Sequence, residues 1–196
     1  MKFYEREHDD FQGKPRRSKA LATFSVVALC LIGFSAIAVA VAMSLINISG
    51  NGNIIFNAED VYATVTGAIT GTKTTNTLSQ IDFDANTKSF DTPASWKNLV
   101  FDFTDDNEIT FTITIKNKST ENSMYVEYTD STSIENVNFT KKVGSEVKET
   151  MPVITIAPNV TQTITIVMNV ISRESSVSGS FSFNVKLSTT DPSVGA

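Results

Sequence analysis

Two stretches bring oxygen-bearing side chains close enough in sequence to do chemistry. In DFDANTKSFD, residues 82–91, Asp82, Asp84 and Asn86 fall at alternate positions, and DFTDDNE, residues 102–108, adds Asp102, Asp105, Asp106 and Glu108. Calcium takes about six to eight hard oxygen ligands, so Asp82, Asp84 and Asn86 form a candidate weak calcium site. An EF-hand loop does not fit. Counted from Asp82, Thr87 stands where the sharp turn needs glycine, and Pro93 stands where the bidentate glutamate belongs. The same residues read as a strand with Ile81 and Phe83 inward and its acids in water, followed by a charged turn, and this reading covers both stretches without a metal.

Other site chemistry finds no foothold. The single histidine is His8 and the single cysteine is Cys30. Both precede or lie within the apolar N-terminal run, which leaves the rest of the chain without the imidazole or thiol that a Ser-His-Asp or Cys-His arrangement requires. No Gly-framed serine and no phosphate-cradling glycine loop occurs. The expectation is therefore a non-enzyme that holds no cofactor other than the candidate calcium. Four Asn-x-Ser/Thr sequons, at Asn47, Asn117, Asn138 and Asn159, have meaning only in a host that glycosylates. Trp96 reads as core or rim packing rather than as a sugar platform.

These residues must be positioned by strands. EITFTITIKN places Ile109, Phe111, Ile113 and Ile115 on one face, with Thr110, Thr112, Thr114 and Lys116 on the other. Such alternation is the pattern of a half-buried strand rich in β-branched residues. TQTITIVMNVIS repeats it with Ile164, Ile166, Met168 and Val170, and SVSGSFSFNVKLS with Val177, Phe181, Phe183, Val185 and Leu187; Gly179 there signals a bulge or a close approach. Further strands are expected at 53–56, 61–69, 99–103, 124–128 and 153–156. Ser49-Gly50-Asn51-Gly52, Asp105-Asp106-Asn107 and Ala157-Pro158-Asn159 read as turns. Residues 71–97 read as a long excursion containing a strand or short helix near 78–84. The fold class is all-β: an antiparallel immunoglobulin-like or jelly-roll-like sandwich preceded by one N-terminal hydrophobic helix, with Phe83, Trp96 and Leu99 in or near the core.

That helix is the strongest local signal. No charged side chain occurs between residues 20 and 46, Lys14, Arg16, Arg17 and Lys19 stand before the run, and the next charges are Glu59 and Asp60. A helix of roughly 20 apolar residues spans a bilayer, and the flanking charges put the N-terminus in the cytoplasm and the remainder outside. Small residues fit signal cleavage after Ala40 or Ala42, whereas the length of the run and the hydrophilic stretch before it suit a retained anchor. Both fates stay open. Leu29 before Cys30 argues against lipidation, and the glutamate usual near the start of a type IV pilin's apolar run is missing. The expected segments are a basic cytoplasmic region at 1–19, the signal peptide or anchor at 20–43, the extracytoplasmic sandwich at 44–190 and a tail at 191–196. The first 43 residues carry six Lys and Arg against four Asp and Glu, and the remainder ten against seventeen. An acidic exterior excludes nucleic acid as a partner, and an exported portion without cysteine fits a Gram-positive surface protein better than a disulfide-stapled module.

The run ITFTITIKNKS, then YVEYTD, then VITIAPNVTQTITIVMNV resembles the layout of bacterial and archaeal surface sandwiches, including the CARDB and NEW3 groups of immunoglobulin-like domains. With its long leader and immediate β-rich, cysteine-free domain, the chain also resembles the TasA and camelysin group of Gram-positive matrix proteins. The resemblance covers residues 108–188, about half of the exported part, and its motifs are mostly alternation plus one turn. It implies an extracellular biofilm-matrix fibre subunit in which the segment after the leader, MSLINISGNGNIIFNAED, completes a neighbour's sheet. The competing reading makes that segment the first strand of its own sandwich. The metalloprotease activity attributed to camelysin does not carry over, because zinc ligands around an open position are missing. A different functional class also fits the sequence: a membrane-anchored ectodomain that binds a cell-wall polymer, carbohydrate or partner protein.

Overall fold

The computed structural model describes residues 46–56, 61–83, 92–173 and 177–194. The leader with Ala40 and Ala42, and the calcium candidates Asp84 and Asn86, lie outside the described residues. Eleven strands and one short helix are described: β1 (Ile46–Phe56), β2 (Ala63–Gly71), β3 (Thr75–Asp82), α1 (Ala94–Lys97), β4 (Leu99–Asp102), β5 (Glu108–Asn117), β6 (Met124–Thr132), β7 (Val137–Val143), β8 (Glu146–Lys148), β9 (Ile154–Ile156), β10 (Thr161–Val170) and β11 (Val177–Ser188). They form two packed sheets, one in the order β4-β1-β11-β6-β9 and the other β3-β2-β5-β10-β7-β8.

The alternating strands fold as their pattern dictates. Ile109, Phe111, Ile113 and Ile115 of β5, Ile164, Ile166 and Met168 of β10, and Phe181, Phe183, Val185 and Leu187 of β11 are all buried. Their inward faces meet in an aromatic cluster. Phe111 of the six-stranded sheet lies 5.1 Å from Phe183 and 5.9 Å from Phe101 of the other sheet, and Trp96 packs edge-on to Phe111 and Phe183 at 6.3 and 6.4 Å. Trp96 is fully buried, and its indole N–H donates to the Ser79 carbonyl at 2.7 Å. Burying so large a ring requires a partner for its N–H. Ser79 can supply one because the β2·β3 register shifts between Val65 and Gly67, the mark of a bulge.

Three features depart from the sequence-based expectation. The Ser49-Gly50-Asn51-Gly52 stretch is no turn; it runs through the middle of β1. The sandwich is not wholly antiparallel, since β1 pairs β11 in parallel over eleven residues, from Ile46↔Val177 to Phe56↔Leu187. Within residues 71–97 the strand expected near 78–84 is present as β3, which folds back on β2 as a hairpin, and α1 delivers Trp96. The hairpin β7–β8 was not expected. It turns through Gly144-Ser145 with Val143 opposite Glu146, and Gly144 adopts φ +60°, as glycine does at the first position of a two-residue hairpin loop. Gly179 marks a close approach, since a Cβ there would lie 2.4 Å from Ile134 Cγ1.

Asn117 ends β5 inside the protein, 1% exposed. Its amide NH2 donates to the carbonyls of Asn122, Ile156 and Ala157 at 2.9, 3.0 and 3.3 Å, and its Oδ1 accepts the Ser119 N–H at 3.0 Å. This sequon asparagine is thus consumed as a buried clamp between two loops. Asn117→Ala is expected to lower stability by about 1–3 kcal/mol, because the carbonyls it serves lose a buried donor. Urea unfolding of the variant beside the exposed control Asn138→Ala measures the difference.

Candidate functional site

The acid-rich turn after β4 is organised by donors from the protein itself. Asp102 Oδ1 accepts the Thr104 N–H at 2.8 Å and the Thr104 hydroxyl at 2.5 Å. These bonds hold its carboxyl below the ordinary 3.8, the Thr104 hydroxyl contributing most. Asp105 pairs with Lys73 at 2.9 Å in an exposed contact. Asp106 is 1% exposed and sits against Gly71, accepting the Lys73 N–H on Oδ1 and the Thr74 N–H on Oδ2, each at 3.1 Å. Burial opposes ionisation of Asp106, but donors on Thr74, Lys73 and Thr72 outweigh it and its pKa lies below the ordinary value. The carboxylate thereby closes the β2–β3 turn, a stretch of backbone whose N–H groups no strand satisfies.

Arg173, after β10, holds the other side of the same turn. Its guanidinium donates to the carbonyls of Phe103, Thr104 and Asp106 and to Asn107 Oδ1. Five donors in a fixed fork suit such a carbonyl cluster. Two turns and the segment after β10, from distant parts of the sequence, therefore meet at one end of the sandwich around Asp106 and Arg173. Neither residue was singled out in the sequence for this role, because the partners of each are 32 to 70 residues away.

Of the candidate calcium residues only Asp82 is among the described residues. Asp82, at the end of β3, binds Lys118 Nζ at 3.0 Å and accepts the Thr64 hydroxyl at 3.4 Å. Among the described residues, no group of three or more His, Cys, Asp or Glu is placed to hold a metal ion.

A second feature is the place of β1. β1 lies between β4 and β11. Asn47–Gly50 pair with Leu99–Asp102 on one side, while the whole strand pairs with β11 on the other. Beyond Gly50, the Thr92 hydroxyl meets Ile54 N and O and Asn53 Oδ1 at 3.3 to 3.4 Å. The inward positions of β1 read Ile46, Ile48, Gly50, Gly52, Ile54, all buried. Both glycines are required by space. A Cβ at Gly50 would stand 2.6 Å from Leu99 Cβ, and one at Gly52 2.3 Å from Phe183 Cζ. The strand thus carries a two-residue notch that receives the side chains of its neighbours.

The opposite side of the sandwich holds an inter-sheet ion pair. Lys141 of β7 meets Asp130 of β6 at 2.7 Å, with both side chains mostly buried. The Tyr128 hydroxyl donates to the other Asp130 oxygen at 3.3 Å. Burial, followed by the Asp130 charge and this bond, pushes the phenol far above its ordinary 10.0, so Tyr128 stays neutral.

No protein-family model matches the sequence, and no curated protein matches it. What fold and geometry define is a two-sheet β protein in which β1 lies between β4 and β11.

Asp106 has a depressed native pKa, so its stabilising contribution is present above the unfolded value and is lost as pH falls through the native one. Asp106→Asn is expected to unfold at lower temperature at pH 7 and to lose less stability than the parent between pH 5 and pH 2. Thermal unfolding across that range measures both effects.

Proposed function

We propose that this chain is an exported, non-catalytic structural protein whose extracytoplasmic domain assembles with further copies by β-strand addition, in the manner that the resemblance to TasA-like matrix subunits implies. The observation that carries the reading is the position of β1. Without it, β4 to β11 divide between the two sheets in the orders β4-β11-β6-β9 and β5-β10-β7-β8. That arrangement favours the jelly-roll-like reading of eight strands over the immunoglobulin-like one. β1 is an extra strand wedged between the first and last of the eight. It is parallel to β11, so no tight turn joins the two, and its backbone ladder is one that another copy's strand satisfies equally well.

The other supports come from the sequence. The apolar run at 20–46 behind a basic N-terminus supports export with the N-terminus in the cytoplasm, as a removed signal or a membrane anchor. The acidic composition of the remainder supports an exterior surface that stays soluble and avoids nucleic acid.

The test uses Asn51 and Ser182, which face each other across β1 and β11 and are both exposed. Neighbouring strands about 4.8 Å apart accept a disulfide between such positions. Full-length chain carrying Cys30→Ala, Asn51→Cys and Ser182→Cys is recovered from membrane and medium, oxidised and run without reductant. A covalent ladder of multimers is the expected result. Cross-linked monomer alone, in both fractions, overturns assembly by strand addition and leaves the tethered ectodomain with a cell-wall, carbohydrate or protein partner.

A further inference from the structure

The notch in β1 carries an inference about which strand the slot between β4 and β11 accepts. We infer that the slot admits only a strand with glycine at two successive inward positions, which makes its occupant in an assembly residues 46–56 of a second copy, held in one register. The inference rests on the proposed strand addition and specifies its partner.

Sterics make the selection. Phe183 fills the space over Gly52, while Leu99 and Phe101 fill that over Gly50, with Phe101 Cε2 2.9 Å from where a Cβ at Gly50 would stand. All three rings or chains are fully or almost fully buried and belong to the aromatic core, so none swings aside without opening a cavity. A strand with ordinary side chains at these points drives a Cβ into Phe183 Cζ.

The register follows from the same contacts. Sliding β1 by two residues keeps the same face inward but puts Ile48 over the Gly50 site or Ile54 over the Gly52 site. Sliding it by one residue turns the other face in and buries Asn51 and Asn53 against apolar walls, which costs unsatisfied amide groups. Only one register places both glycines under the rings. Gly50 and Gly52 are the only two glycines of the chain spaced two apart, so no other segment of this protein satisfies the slot. Unrelated apolar strands, which fit an ordinary sheet edge, are rejected by the side chains that fill the notch.

Cross-linking between two differently marked full-length chains, both Cys30→Ala, tests this. One chain carries Ser182→Cys as acceptor. The donor carries either Asn51→Cys, matching the in-register pair, or Asn53→Cys, displaced by two residues on the same face. The expected result is a mixed dimer with Asn51→Cys and at least tenfold less with Asn53→Cys. Adding Gly52→Val to the Asn51→Cys donor is expected to lower the yield at least tenfold, whereas Ile55→Thr, on the outward face, leaves it unchanged. Equal cross-linking by the two cysteine positions, or a Gly52→Val donor that cross-links like its parent, overturns the selection rule.

Failure of strand addition itself looks different, because no donor then gives a mixed dimer. The rule is in that case decided within one chain by pairing Ser182→Cys with Asn51→Cys or with Asn53→Cys and comparing intramolecular disulfide yields. Equal yields overturn it, and a tenfold preference for Asn51→Cys upholds the register while removing the second copy as occupant.

Discussion

Phe183 lies over the backbone of β1 at Gly52, and the packing of the sandwich is arranged around that contact. The ring fills space that any side chain on β1 would occupy, reaches across to Phe111 of the opposite sheet, and touches both Trp96 and Phe181. Because Gly52 stands opposite Phe183 in the ladder, one contact ties the first described strand to the last, fixes their register and seats the centre of the aromatic core. A sheet ladder alone tolerates slippage; a ring locked over a glycine does not.

The ends of the sandwich depend on polar groups buried with their partners. At one end Asp106 and Arg173 draw the 71–74 turn, the 103–107 turn and the segment after β10 together. Elsewhere Asn117 joins the 118–122 loop to the turn before β10. These side chains substitute for backbone partners that strands no longer supply, which is why each is charged or amide-bearing and why each meets several backbone groups at once. Asp102 and Asp106 cap turns, and Asp82 and Asp105 form ion pairs with Lys118 and Lys73.

Much of the fold is legible in the sequence because alternation is a local signal. β5, β10 and β11 are read from their Ile, Phe and Val positions, Trp96 is recognised as core, and the turns at Asp105-Asp106-Asn107 and Ala157-Pro158-Asn159 are found where expected, with Asn159 at φ 60°. The turn expected at residues 49–52 fails for a physical reason, whereas the reading of this segment as the first strand of its own sandwich agrees with its pairing to β11 and β4. Ser-Gly-Asn-Gly has the composition of a turn, but here glycine is selected for the absence of a Cβ, and the atoms that demand this belong to residues 99, 101 and 183. The parallel partner of β1, some 130 positions along the chain, leaves no trace in local pattern. The β7–β8 hairpin is missed although Gly144-Ser145 separates Val143 from Glu146 as a two-residue loop does, because the lysines of β7 obscure its alternation. The polar clamps are illegible for the same reason as the notch: their meaning lies in partners distant in sequence.

The parallel pairing of β1 with β11 is the central claim, and hydrogen exchange of the full chain, followed by mass spectrometry at peptide resolution, tests it most directly. Residues 46–56 are expected to exchange as slowly as β5 and β10, whether the ladder is completed within one chain or by another copy. Rapid exchange across 46–56, with β5, β10 and β11 still protected, would contradict the account, because the sandwich would then stand without the strand on which its register and core are argued to rest.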